Sequence, residues 1–146
     1  MPAQSRGAAA IHAACHCGAV RLEIARKPRS VTQCNCSVCR RYGAMWAYYT
    51  RKSVRLIAEP GAVGEYSWRN HRLQFCHCTV CGGLTHYKSR NETPDGRFAV
   101  NGRMIDPAVM ASVPIKLLDG DGDWKVLETR AQPDLFVSPV RRKRPG

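Results

Sequence analysis

The chain has 146 residues and a formal net charge of +12, from 23 Lys and Arg against 11 Asp and Glu. Its 44% hydrophobic content excludes a disordered chain. It suits one globular domain, which at this length buries roughly 68–70% of its unfolded surface without disulfide staples. No apolar run approaches the ~18 residues that span a bilayer, and residues 1–14 lack the apolar core of a signal peptide, so we expect a cytoplasmic protein with no membrane partner.

In chain order, Val20–Ile24 alternates apolar and polar residues with period two and predicts a half-buried strand after the turn at Cys17-Gly18. Residues 37–42 predict one helical turn. The aromatic stretch 45–50 predicts a strand. Val54–Ala58 predicts the next, ended by Pro60-Gly61. Residues 64–69 and 73–78 predict a strand pair across Asn70-His71. Residues 84–89 follow Gly82-Gly83 as a strand, residues 98–101 follow the Pro94-Asp95-Gly96 turn as another, and residues 107–112 predict a last helical turn. The expected fold is mainly β, with many short strands held at cysteine clusters. Asp119-Gly120-Asp121-Gly122-Asp123 is not a calcium loop, because Trp124 and Arg130 stand where an EF-hand needs Gly and Glu. It reads as a solvated turn.

Eight cysteines in a reducing compartment point to metal and not to disulfides. They fall in three clusters. The first is Cys15-His16-Cys17-Gly18. The second and third, Cys34-Asn35-Cys36-Ser37-Val38-Cys39 and Cys76-His77-Cys78-Thr79-Val80-Cys81, are near copies of one another. In Cys-x-x-Cys the chain turns so that two sulfurs converge and backbone N–H groups face the thiolates. Zinc takes four ligands in a tetrahedron, so eight sulfurs divide either into two closed sites or into one closed site and one three-sulfur site with a vacancy. The spacing leaves that choice open. The spacings do not match the iron–sulfur runs of ferredoxins.

The order of these clusters, Cys15-His16-Cys17-Gly18-Ala19-Val20-Arg21, then Cys34-Asn35-Cys36-Ser37-Val38-Cys39-Arg40-Arg41, then Cys78-Thr79-Val80-Cys81-Gly82, resembles the glutathione-dependent formaldehyde-activating enzyme (GFA) family over about residues 14–124. The resemblance implies a β fold of coiled, tent-like small sheets around two zinc ions. It implies a structural zinc on Cys15, Cys17, Cys78 and Cys81, and a second zinc on Cys34, Cys36 and Cys39 that stays open to a thiol. It implies a carbon–sulfur lyase that joins glutathione and formaldehyde into S-hydroxymethylglutathione, or cleaves that adduct. The domain would occupy residues 14–130, between a flexible segment at 1–13 and a basic tail at 131–146.

The family pattern is broken in two places, at Cys76-His77 and over residues 90–107. His77 stands where the family has Phe directly before Cys-x-x-Cys, and Cys76 is an additional cysteine. Cys76 shares a strand face with Cys78 and is a candidate extra ligand, which in the second site would close the vacancy. Residues 90–107 follow the pattern only loosely.

Three thiolates make zinc a weaker Lewis acid than three histidines do, so the centre suits an incoming thiol better than a hydrolytic water. The carboxylates of glutathione call for cations, and Arg40, Arg41, Arg51 and Lys52 lie nearest the second cluster in sequence. Trp46, Tyr48 and Tyr49 are candidate walls of the pocket, with a buried strand position as the alternative. His16 and His77 are assigned packing or solvent roles. The alternative function is a non-catalytic zinc module that contacts protein or nucleic acid through Arg141-Arg142-Lys143-Arg144. Against nucleic acid, basic and aromatic residues do not interleave in one stripe.

Overall fold

The computed structural model describes residues 10–132. They form a mainly β fold of two sheets. The smaller sheet has three antiparallel strands, with β2 (Val20–Ile24) between β1 (Ile11–Ala14) and β5 (Val54–Ala58). The remaining strands are β3 (Val31–Cys34), β4 (Trp46–Thr50), β6 (Val63–Ser67), β7 (Leu73–Cys78), β8 (Leu84–Ser89), β9 (Arg97–Asn101), β10 (Ile115–Leu118) and β11 (Val126–Arg130). They build an eight-stranded sheet in the order β11-β10-β3-β4-β9-β8-β7-β6. Its neighbours are antiparallel except β10 and β3, which run parallel. Helix α1 (Ser37–Tyr42) follows β3, and α2 (Pro107–Met110) precedes β10.

The alternation of β4 and β9 explains why both faces of the large sheet are covered. Met45, Ala47 and Tyr49, with Phe98 and Val100, face the main core, where they meet Leu22 and Ile24 of the small sheet and Val31, Ile105 and Val113. The intervening residues Trp46 and Ala99 face the other way, onto a second cluster with Cys36, Cys39, Phe75 and Tyr87. A third, smaller cluster holds Cys15, Val20 and Cys78.

The folded segment is longer than the sequence suggests at both ends. Strand β1 pairs with β2 from Ile11 onwards, and Ala13 lies in the core, so residues 11–13 are not a loose segment. At the other end Gln132 is buried and its Nε2 donates to the Val113 carbonyl at 3.0 Å. The basic run Arg141–Arg144 lies outside the described residues. Among the described residues no helix is long and apolar enough to cross a membrane.

Candidate metal centres

Seven of the eight cysteines converge in two groups, and within each group the sulfurs lie within 4.8 Å of one another. Cys15, Cys17, Cys78 and Cys81 form the first group. Cys17 Sγ lies 3.7 Å from Cys15 Sγ and 3.6 Å from Cys78 Sγ. Four sulfurs at about 2.3 Å from a tetrahedral zinc stand roughly 3.8 Å apart, so the spacing fits that ion. Two turns deliver these side chains. The first is closed by Gly18 (φ 81°), and the second runs from the end of β7 through Gly82 (φ 76°). The left-handed backbone at both glycines lets the chain reverse at once behind each cysteine.

Backbone donors are aimed at the sulfurs. Val20 N donates to Cys15 Sγ at 3.3 Å, Val80 N to Cys78 Sγ at 3.3 Å, and Cys81 N to the same sulfur at 3.5 Å. Such donors favour the charged thiolate that a metal requires. The Cys81 N–H, above all, holds the Cys78 thiol below its ordinary pKa, and the N–H groups of Cys17 and Gly83 bring Cys81 to about 6. At Cys17 the Ala19 N–H pulls downwards, but burial and the three neighbouring sulfurs outweigh it and raise the thiol to about 11. Four adjacent thiolates cannot all carry charge without a cation among them.

Cys34, Cys36 and Cys39 form the second group. Cys34 ends β3, Cys36 caps α1, and Cys39 lies one turn into that helix. Cys36 N donates to Cys34 Sγ at 3.4 Å, and Cys39 N to Cys36 Sγ at 3.5 Å. Trp46 Nε1 donates to Cys39 Sγ at 3.5 Å. Burial opposes the Cys36 thiolate, yet the N–H groups of Cys39 and Val38 and the adjoining sulfurs leave its pKa lowered. Burial raises Cys34 and Cys39. The donor set, three sulfurs with N–H support and no fourth cysteine, fits a zinc with one free position.

The three sulfurs open onto a cavity of about 750 Å³ on the covered face of the large sheet. Trp46, only 1% exposed, is its floor, and Phe75 and Tyr87 pack against that ring at centroid distances of 6.1 and 4.7 Å. Arg69 and Arg97 also line it.

Arg40 and Arg41 are not among its lining residues. Arg40 lines a separate, smaller hollow that also touches Cys34 and Cys39, with Gly43 and Leu117, whereas Arg41 borders neither that hollow nor the main cavity. Arg41 instead bonds the Ser37 carbonyl at 2.8 Å. Arg51 is tied to the carbonyls of Ser89 and Asn91, and Lys52 pairs with Asp95. The cavity's own cations come from β9 and from the turn after Trp68, which lie far from the second cluster in sequence. His16 is exposed, and the His77 ring packs against Gly64, where a Cβ would meet its Nε2 at 2.5 Å.

Cys76 joins neither group. It is fully buried on the face of β7 opposite Phe75, and its cross-strand neighbour on β8 is His86. Phe75 faces the cavity, so the alternation of β7 turns Cys76 away from Cys34, Cys36 and Cys39. Burial pushes its thiol up to about 12. It does not close the second group.

The turn after β10 is a wall that sequence reading missed. Asn35 Nδ2 donates to Asp119 Oδ1 at 2.9 Å, and Asp121 N donates to Asn35 Oδ1 at 3.0 Å. These bonds clamp the Asp-Gly repeat over Cys34. A Cβ at Gly120 would overlap Cys34 Sγ. What reads as a solvated turn is therefore one side of the second centre.

The family model for glutathione-dependent formaldehyde-activating enzyme (GFA) matches residues 10–112. A crystal structure of a Rhodobacter sphaeroides protein superposes with a TM-score of 0.58 at 27% identity, over 72% of this chain and 99% of that one. With the sulfur groups placed as above and the match spanning most of the chain, this protein belongs to the GFA family.

Proposed function

We propose that the protein is a zinc-dependent carbon–sulfur lyase of the GFA type, with Cys15, Cys17, Cys78 and Cys81 holding a structural ion. In this reading Cys34, Cys36 and Cys39 hold the working ion, and its substrate is a small thiol such as glutathione together with formaldehyde. The observation that carries the reading is a three-sulfur group that borders a cavity while the one spare cysteine faces away.

Zinc bound there would hold an incoming thiol as its thiolate. The chain does the rest. The N–H groups of Cys36, Cys39 and the Trp46 indole steady the charge on the sulfurs. The apolar walls exclude water from the reacting carbon. Burial raises the pKa of Tyr48 and of Tyr87, so both phenols stay protonated near neutral pH and act as hydrogen-bond donors, not bases. In the synthetic direction the substrate sulfur bonds the aldehyde carbon, the carbonyl π pair moves to oxygen, and that oxygen takes the proton that the thiol lost. The lyase direction reverses each transfer, and nothing is oxidised or reduced.

Metal analysis and product NMR with formaldehyde and glutathione test the proposal. We expect two zincs per chain and S-hydroxymethyl adduct exchange faster than the uncatalysed rate. Cys39→Ser should remove the exchange and one zinc. Two tightly held zincs with no acceleration would assign a non-catalytic zinc module instead.

A further inference from the structure

The cavity is larger and more aromatic than formaldehyde on a small polar thiol requires. Trp46, Tyr48, Trp68, Phe75, Tyr87 and Trp124 all line it. Its volume, about 750 Å³, lies within the range of pockets that enclose ring-bearing ligands. Its charge is also defined. Asp95, the one carboxylate among the described residues that line it, is taken by Lys52 at 2.8 Å. Arg69 and Arg97 have no ion-pair partner among the described residues. The Arg69 guanidinium carbon stands over the Trp68 ring, 4.2 Å from its centre, and that of Arg97 stands 5.7 Å from the Tyr48 ring centre. Each guanidinium is thus held beside an aromatic wall with its charge unmatched.

Trp124 adds a second, independent sign. It is 62% exposed, although tryptophan ordinarily covers its ring. Its φ is 63°, a left-handed conformation that bulky side chains rarely adopt. The fold tolerates that conformation at a specific place. The indole stands against Gly120, where a Cβ would be 3.4 Å from the ring, and Gly120 itself abuts Cys34. The turn that carries both residues lies beyond residue 112, where the family match ends. An exposed ring, a strained backbone and an adjoining sulfur centre together indicate a ligand that covers the ring.

We propose that this site selects a thiol carrying both an aromatic ring and a carboxylate. The sulfur goes to the Cys34–Cys36–Cys39 centre, the ring to the wall that Trp124 completes, and the carboxylate to Arg69 and Arg97. This rests on the thiol-handling reading above and narrows its substrate class. Trp124 is the specificity-determining residue, and a polar thiol without a ring leaves its face uncovered.

Calorimetric titration of the zinc-loaded full chain tests the inference with three thiols: para-(mercaptomethyl)benzoate, mercaptoacetate and glutathione. The first two are alkyl thiols with a carboxylate that differ in the ring and in the span from sulfur to carboxylate, so the preference is assigned to the ring only if it depends on Trp124. The ring compound should bind about tenfold more tightly than mercaptoacetate, the gain expected of a stacked aromatic pair. Trp124→Ala should remove that preference while leaving mercaptoacetate unchanged, and Trp124→Phe should keep most of it. Arg97→Gln should weaken both carboxylates severalfold. Zinc content measured for each variant shows that the fold and both centres survive. Equal binding of the two carboxylates, or a preference that persists in Trp124→Ala with zinc intact, would overturn the inference and leave glutathione binding standing. Failure of all three thiols to bind would overturn the thiol-handling reading as well.

Discussion

Gly120 shows how one residue governs a centre to which it donates no ligand. A methyl group there would overlap Cys34 Sγ and stand 3.5 Å from Cys36 Cβ, and a zinc held by both cysteines would keep that sulfur from rotating away. Gly120→Ala should therefore cost about 1–3 kcal/mol, as overpacking does, and should release zinc from the second centre alone. Metal analysis of the variant checks this, and full retention of both ions would contradict it. Cysteine identity and order were legible in sequence, but the fate of each Cys-x-Cys was not. Same-face neighbours on a strand stand roughly 6.7 Å apart, whereas sulfurs on one zinc need about 3.8 Å. Cys15 and Cys17 meet that need because a turn brings them together, and Cys34 and Cys36 because β3 ends between them. Cys76 and Cys78 both lie within β7, so only Cys78 joins a sulfur group that could hold a metal. The near copies in sequence thus behave differently for a reason of strand geometry.

Among the elements, the β10–β11 connection is the piece that completes the second centre, and Asn35 fastens it. Asn35→Ala removes two hydrogen bonds, to Asp119 Oδ1 and from Asp121 N. The expected cost is about 1–2 kcal/mol, local to that turn. Hydrogen exchange should accelerate at residues 119–124 while β4 and β9 keep their protection, and equal acceleration across the sheet would argue against a local clamp. The strands legible in sequence were those with alternation or bounding turns, such as Val20–Ile24 and the pair around Asn70-His71. Four strands escaped. Ile11–Ala14 is half alanine, a weak strand former. Val31–Cys34 and Ile115–Leu118 are four residues each and pair in parallel far apart in sequence. Val126–Arg130 is exposed throughout, so no buried face marks it.

For the molecule as a whole, the large sheet separates a conventional core from the sulfur-lined cavity, and His86 lies on the core side. Its ring stacks on Phe98 at 4.8 Å, and its Nδ1 is 2.8 Å from Thr85 Oγ1. Burial, with the charges of Lys88 and Arg51, pushes its pKa down to about 3. The folded protein therefore keeps His86 neutral, while the unfolded chain takes up a proton below its ordinary pKa of about 6.5. Above that pH the group has no effect. As pH falls from there towards 3, the unfolded state binds the extra proton and stability drops by at most about 1.4 kcal/mol per pH unit. Urea midpoints at about pH 7 and pH 5 should show this decline in the parent protein and a shallower one in His86→Leu; equal declines would contradict the assignment. At this scale family and fold class were legible, because the order of three cysteine clusters is a local pattern. The cavity was not, because its walls come from β4, β7, β8, β9 and the last turn, and only the fold assembles them.

In the proposed function the Cys34–Cys36–Cys39 centre is open while the four-cysteine centre is closed. Zinc K-edge X-ray absorption of the two-zinc protein, with and without glutathione, tests it most directly. Averaged over the two ions, we expect about 3.5 sulfurs and half a lighter atom per zinc, rising to about four sulfurs and no lighter atom when a glutathione sulfur enters the first coordination shell of the second ion. An all-sulfur spectrum before addition, unchanged afterwards, would contradict it.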